Sequence, residues 1–326
     1  MSNASPQASP QGTVVTGVSP KVGVVTDASP QGTVVTGANP QVAVVTGASR
    51  GAGKGIALAL GALGMTVYVS GRSVTSSLGR LKDTSLPGTL SETAAEIERL
   101  GGHGVAVPCD HSDDTQVKTL FDQVERQSGR LDILVNNATF IHDSLIDPGG
   151  FWEKPLDLVR ILDVGLRSAY VASYFAAPLM IRRRTGLLTF ISSFGSNCYM
   201  HGPAYGAQKS GLDKFAADMG VDLESHGVTS VSLWLGPLIT ERTAAALKHR
   251  PDQYTQFVQQ AETPQFNGRV IHALASDPQV MRFNGQTLIT AEIARDYGIA
   301  EEGGRQPPSY REMLGAPRTP HPARVM

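Results

Sequence analysis

The chain has 326 residues, a formal net charge of −1 and 41% hydrophobic residues, which suits one large α/β domain with appendages or two small domains. The near-zero charge leaves no footprint for nucleic acid or an anionic membrane, and no apolar run approaches the roughly 20 residues that a bilayer span needs. Met1-Ser2-Asn3-Ala4-Ser5-Pro6 lacks the basic-then-apolar order of a secretory signal, and Cys109 and Cys198 sit in no metal-like cluster, so the chain reads as soluble, reduced and cytoplasmic, without a metal site.

The first forty residues repeat themselves. Val14-Val15-Thr16-Gly17, Val24-Val25-Thr26-Asp27 and Val34-Val35-Thr36-Gly37 anticipate Val44-Val45-Thr46-Gly47 at a ten-residue period, each unit opened by Ser-Pro or Asn-Pro. The unit is shorter than most solenoid repeats, and its prolines interrupt a continuous strand. Residues 1–40 therefore read as a duplication of the first strand that leaves a disordered arm. A β-rich interaction arm is the functional alternative.

Only the fourth copy continues. Val42-Ala43-Val44-Val45 suits a buried parallel strand. It is followed by Thr46-Gly47-Ala48-Ser49-Arg50-Gly51-Ala52-Gly53, which opens an apolar-periodic helix. Strand, glycine turn and helix N-terminus in that order form an anion cradle, because the unpaired N–H groups and the helix dipole favour a pyrophosphate. A second strand at Met65–Val69 ends at Ser70-Gly71-Arg72. An acid after this strand marks an NAD site, whereas an arginine accommodates the 2′-phosphate of NADP. Arg72 stands in the acid's place and Arg50 lies within the turn. Two guanidiniums suit fork-like phosphate recognition, so the cofactor expected is NADP(H) rather than NAD(H).

A long polar loop, Ser73 to Thr89, borders the expected adenosine phosphate. Next come a helix at Glu92–Leu100, a strand at Gly104–Pro108 leading to Cys109-Asp110, and a helix at Asp113–Gln127. A fourth strand, Leu131–Val135, delivers Asn136-Asn137-Ala138. Strands alternating with helices predict a parallel sheet covered on both faces. Pro155–Arg184 reads as one long helix bent near Pro178. Leu187–Ile191 is a fifth strand ending in Ser192-Ser193, a helix runs from Pro203 to about Ser225, and Val228–Trp234 is a sixth strand. Glu241–Gln265 is polar and expected to fold over the site. A short helix at Arg269–Ala275 and a strand at Gly285–Ile289 follow, and residues 301–326 form an irregular tail.

Tyr205 and Lys209 are four apart and so share one helix face. A free tyrosine has a pKa near 10, too high for a base at neutral pH, and a nearby ammonium is expected to lower it. Such a phenol can exchange a proton with a substrate oxygen while hydride moves at the adjacent carbon. Ser193, at the C-terminal end of a strand, can hydrogen-bond the same oxygen. His103, His111, His142 and His201 are scattered without ligand spacing and read as surface or loop residues, although His201 is also placed to face the substrate. Leu179 and Met180 read as core, Trp152 and Trp234 as core or interface, and Cys198 as a packed cysteine or a pocket residue.

The order Thr46-Gly47…Gly51…Gly53, Asp110, Asn136-Asn137-Ala138, Ser193, Tyr205…Lys209 and Gly236…Thr240 resembles the short-chain dehydrogenase/reductase family over about Val42–Ile289. Phe151-Trp152-Glu153, Val164-Gly165-Leu166-Arg167, Ser192–Ser196 with Tyr199-Met200, and Ser232-Leu233-Trp234 look most like its dehydrogenase/reductase member 1 subgroup. The resemblance implies a single Rossmann-type domain over residues 41–300, a doubly wound three-layer α/β/α sheet, usually in a homodimer or homotetramer. It implies that Tyr205 is the general acid/base and that Ser193, with Ser192 as runner-up, orients the carbonyl. Lys209 would tune Tyr205 and bind ribose. Thr46, Gly47, Ser49, Arg50, Gly51 and Gly53 would line the phosphates, and Asp110 would contact the adenine. The backbone near Asn136 and Ala138 would meet the adenosine side, and Thr240 the nicotinamide amide.

Three positions depart from the pattern. Gly165 replaces an asparagine that helps to hold a relay water, Thr139 replaces a glycine, and Leu235-Gly236-Pro237 displaces the usual Pro-Gly. The function expected is hydride transfer between NADP(H) and a small, moderately apolar carbonyl or alcohol, with specificity set by Ile141–Pro155, Asn197–Gly202 and Glu241–Gln265. A non-catalytic NADP(H) sensor or scaffold is the rival reading.

Overall fold

Val42–Thr46 (β1) is buried at every position, as an apolar β-branched run at the centre of a parallel sheet should be. In the computed structural model, which describes residues 40–75, 80, 81, 84–249 and 258–325, β1 pairs in parallel with Thr66–Gly71 (β2) on one side. On its other side lies Ile133–Asn136 (β4). With His103–Pro108 (β3), Leu187–Ser192 (β5), Thr229–Trp234 (β6) and Thr287–Ile289 (β7), these strands form a seven-stranded sheet in the order β3-β2-β1-β4-β5-β6-β7. The direction of winding reverses between β1 and β4. Ligands of open α/β sheets bind outside the carboxyl ends of the strands at such a switch. The repeats of residues 1–39 lie outside the described residues.

Side-chain alternation along β1 divides the core in two. Ala43 and Val45 pack with Ile56 and Leu60 of helix α1 (Gly51–Ala62), Ile97 of α2 (Leu90–Arg99) and Phe266. Val42 and Val44 face the opposite layer, with Leu120 of α3 (Asp114–Ser128), Ala176 of α4 (Ser168–Ile181) and Leu212 of α5 (Pro203–Glu224). This is the three-layer α/β/α arrangement. Helix starts follow their local chemistry. Thr89 and Glu92 close a capping box on α2, and Asp113 caps α3. Leu179, Met180 and Trp234 are core, but Trp152 is 75% exposed and fills no core.

Three elements differ from expectation. The helical run after Leu156 breaks at Val164 and Gly165, where φ of Gly165 is +147°, and continues straight through Pro178 within α4. Phe140 N–H takes the Val164 carbonyl and Ser168 Oγ takes the Gly165 N–H, so these backbone groups are satisfied outside the helix. The run Leu156–Ile181 is long and apolar enough for a membrane span by length and mean hydropathy (1.2) alone. The break, and the packing of Ala169, Ala172 and Ala176 into the core, suit a covering helix of the sheet.

The helix expected at Arg269 begins at Pro264 and runs to Ser276 (α7; the intervening α6 is Glu241–His249). Thr263 caps α7, and proline at the first helical position starts a helix rather than breaking it. The tail after Glu301 is largely irregular yet docked. Tyr310 packs with Phe194, Trp234 and Ile289, and Arg311 pairs with Glu292 at 2.6 Å.

Candidate active site

The glycine turn is tied to the end of β4 by side chains. Thr46 Oγ1 accepts from the N–H groups of Asn137 and Ala138, both at 2.9 Å. Asn137 Nδ2 donates back to the Thr46 and Gly47 carbonyls at 2.8 and 3.1 Å. A Cβ on Gly53 would stand 2.4 Å from Asn137 Nδ2 and 2.5 Å from the Gly47 carbonyl, so only glycine lets α1 approach this closely. The N-cap, Arg50, is extended and gives no side-chain cap. The leading N–H of α1 is met from elsewhere: Gly51 donates to Glu241 Oε2 at 2.8 Å. A carboxylate thus sits where the cradle favours an anion, and a phosphate at this N–H must displace it. Thr240 lies against the turn, its methyl 4.0 Å from where a Gly51 Cβ would be, and its hydroxyl accepts from Thr243 N–H in the first turn of α6.

Arg72 and Asp110 meet beyond the ends of β2 and β3, 4.0 Å apart, with Arg72 largely exposed. Arg50 differs from expectation. Its guanidinium donates to the Pro87 and Gly88 carbonyls at 3.1 and 2.7 Å instead of standing free for a phosphate, and so it anchors the Ser73–Thr89 loop. Ser49 is buried in the turn, and Asn136 turns its amide to Ser173 Oγ. His111 is a correction: it is buried against Ser70 Oγ, and burial, opposed by Asp110, holds its pKa down to about 4.

At the other end of the cleft, Ser193 Oγ and Tyr205 Oη are 2.9 Å apart. Ser192 points away and donates to the Lys209 carbonyl. Lys209 Nζ donates to the Ile191 carbonyl at 3.0 Å and lies 5.3 Å from the centre of the Tyr205 ring. The lysine was expected to lower the phenol's pKa; instead burial pushes it above its ordinary value, with the Ser193 hydrogen bond opposing. The ammonium lies over the ring face and is engaged by a carbonyl, so burial of the hydroxyl wins. Burial also brings Lys209 down to about 8, opposed by Asp213 one turn further on. Asp213 is itself a half-buried hub. It accepts from Ser196 Oγ at 2.5 Å, Ser232 Oγ at 2.6 Å and Trp234 Nε1 at 2.9 Å, which pins the segment after Ser193 to β6.

Ser193, Tyr205 and Lys209 share a cavity of about 360 Å3 with Ala52 of the glycine turn and Asn137. His201 enters it too, its ring edge-on to Tyr205 at 5.0 Å. The nucleotide-type turn and the Ser–Tyr–Lys group thus border one space.

Residues 41–251 match the short chain dehydrogenase family. The chain belongs to this family. It is 40% identical over 273 residues to dehydrogenase/reductase SDR family member 1 of Homo sapiens, covering 80% of this chain and 83% of that protein. It is 30% identical over 242 residues to a 3-oxoacyl-(acyl-carrier-protein) reductase of Synechocystis, covering 74% and 91% of the two chains. Among solved structures, a protein assigned as a dehydrogenase from Xanthomonas campestris matches with a TM-score of 0.67 and 25% identity, over 82% of this chain and 93% of that one. As a short-chain dehydrogenase the chain is an oxidoreductase that uses a nicotinamide cofactor. The turn fits such a group: the leading N–H of α1 already holds a carboxylate oxygen, and Gly47 and Gly53 leave no room for a Cβ beside it.

Two departures from the short-chain dehydrogenase pattern explain each other. A Cβ on Gly165 would stand 2.5 Å from Gln208 Nε2 and 2.9 Å from Thr139 Oγ1, and these two side chains are themselves bonded at 3.3 Å. A second amide, from α5, fills the space where an asparagine at 165 would extend. Gln208, Asn137, Asp213 and Glu241 were not singled out from sequence. Asn137 sits inside a quoted motif, and Asp213 is one turn after Lys209, so both carried a signal. Leu81, which also lines the cavity, comes from the long loop and carried none.

Gly165→Asn should therefore not restore a family-like site. It forces a left-handed residue into occupied space and should cost about 2 kcal/mol or more in chemical denaturation. Stability within about 0.5 kcal/mol of the parent would contradict this packing.

Proposed function

We propose that this chain is an NADP(H)-dependent carbonyl reductase, reversible as an alcohol dehydrogenase. The observation that carries the reading is the 2.9 Å approach of Ser193 Oγ to Tyr205 Oη in the cavity bordered by the glycine turn. When bound, the nicotinamide supplies or accepts the hydride. The remaining work falls to the chain's own side chains. Ser193 donates a hydrogen bond to the carbonyl oxygen and polarises it, while the Tyr205 phenol gives that oxygen its proton. Lys209 holds a positive charge over the Tyr205 ring and would donate to the nicotinamide ribose. Asp213 acts through others, by fixing the Ser193–Ser196 segment.

Arg72 supports NADP(H) over NAD(H). It is a guanidinium in the position where an acid would bind a ribose 2′-hydroxyl, with Asp110 beside it to orient it. One ground for a non-catalytic sensor, the glycine at 165, is met by Gln208, whose amide occupies that space; the other, the N-terminal repeats, lies outside the described residues. Short-chain dehydrogenases often oligomerise, and the exposed Tyr170 and Tyr174 on α4 support a homodimer or homotetramer.

Tyr205→Phe is expected to bind NADPH normally and to lower kcat by about a hundredfold or more; near-parental turnover would remove the phenol from the mechanism. Arg72→Ala is expected to raise the KM for NADPH by about tenfold while changing that for NADH little, since a charge-assisted contact to the 2′-phosphate is lost. Equal effects on both cofactors would count against NADP(H) recognition there.

A further inference from the structure

A second cavity, of about 190 Å3, adjoins the catalytic one, and Leu145 and His201 line both. Its other walls include Pro155, Leu158, Val159, Tyr199 and Pro203, and among the described residues no acidic side chain lines it. Its one cation, Lys154, donates to the Leu145 carbonyl at 3.0 Å and so braces the shared wall. His201 is the hinge between the two spaces. It has a left-handed backbone, φ +59°, which costs about 1–3 kcal/mol for such a residue, and this turns its ring onto Tyr205. At the outer rim, Phe151 is 68%, Leu156 86% and Tyr199 85% exposed. Apolar side chains gathered at the mouth of a cleft, instead of scattered singly, mark a binding surface.

We propose that this groove is a subsite for the apolar arm of an elongated carbonyl substrate, whose carbonyl lies at Ser193 and Tyr205 and whose aliphatic chain passes His201 into the space between Leu145 and Val159. The proposal rests on the reductase reading of the main cavity. The occupant is a substrate arm rather than a protein partner because the groove adjoins the catalytic cavity, with Leu145 and His201 lining both, and because it is small. At about 30 Å3 for each water-sized group it holds on the order of six non-hydrogen atoms. A wall without acids, and with its one ammonium engaged by a carbonyl, favours hydrocarbon over a polar or cationic arm.

The test is calorimetric binding of 2-alkanones, from 2-pentanone to 2-undecanone, to the full-length protein saturated with NADP+, a state in which no ketone can be reduced. The dissociation constant should fall by about threefold to fourfold for each added methylene, as burial of a CH2 predicts, and level off once the groove is full. Val159→Asp, and separately Leu158→Asp, should reduce the gain to less than about twofold over the whole series, with the affinity for 2-pentanone changed less than about twofold. No dependence on chain length in the parent, or the same dependence in both variants, would overturn the subsite. NADPH oxidation with the same ketones judges the reductase reading separately: length-dependent binding without oxidation would remove that reading and leave the groove as a hydrocarbon site.

Discussion

Thr46 stands at the end of β1, and its hydroxyl accepts the first two N–H groups beyond β4. Those two strands flank the point where the winding of the sheet reverses, so their ends would otherwise splay and leave a gap lined by loose backbone. With Asn137 reaching back to the Thr46 and Gly47 carbonyls, the gap becomes a fixed shelf. The glycine turn, the cleft floor and the Ser–Tyr pair keep their relative positions because this crossing is closed. Without it the cavity would have no defined wall on the nucleotide side.

Half-buried carboxylates from distant parts of the chain complete the site. Asp213 gathers three donors from two elements and thereby holds the segment that carries Ser193. Its own pKa is raised by burial, with the donors opposing. Glu241 caps α1 from across the cleft, so the substrate-side helix α6 is linked to the cofactor-side turn through a single carboxylate. An anion arriving at the turn competes with that carboxylate, which couples occupancy of the phosphate site to the placement of Thr240 and α6.

The parallel strands and the helix layers were legible because burial on both faces demands apolar runs, as in Val42–Val45 and Leu187–Ile191, with amphipathic helices between them. Tyr205, Lys209 and the glycine turn were legible because their chemistry fixes their spacing. What was hidden depended on contacts between distant segments. The break belongs at Val164 and Gly165 because Phe140 N–H donates to the Val164 carbonyl and Ser168 Oγ accepts from the Gly165 N–H, and a proline rule pointed instead to Pro178. The pKa of Tyr205 follows burial that no spacing records. The contacts of the Arg50 guanidinium with the Pro87 and Gly88 carbonyls likewise join segments that no local pattern brings together. The docking of the tail through Tyr310 depends on a hydrophobic pocket made by Phe194 and Trp234, which no local pattern announces.

A crystal structure of the protein with NADP+ tests the central claim most directly. The account predicts the pyrophosphate on the Gly51 N–H with Glu241 displaced, and the nicotinamide ring in the shared cavity beside the hydroxyls of Ser193 and Tyr205. A ring bound away from those hydroxyls, or a dinucleotide that leaves Glu241 on Gly51 and lies elsewhere, would contradict it.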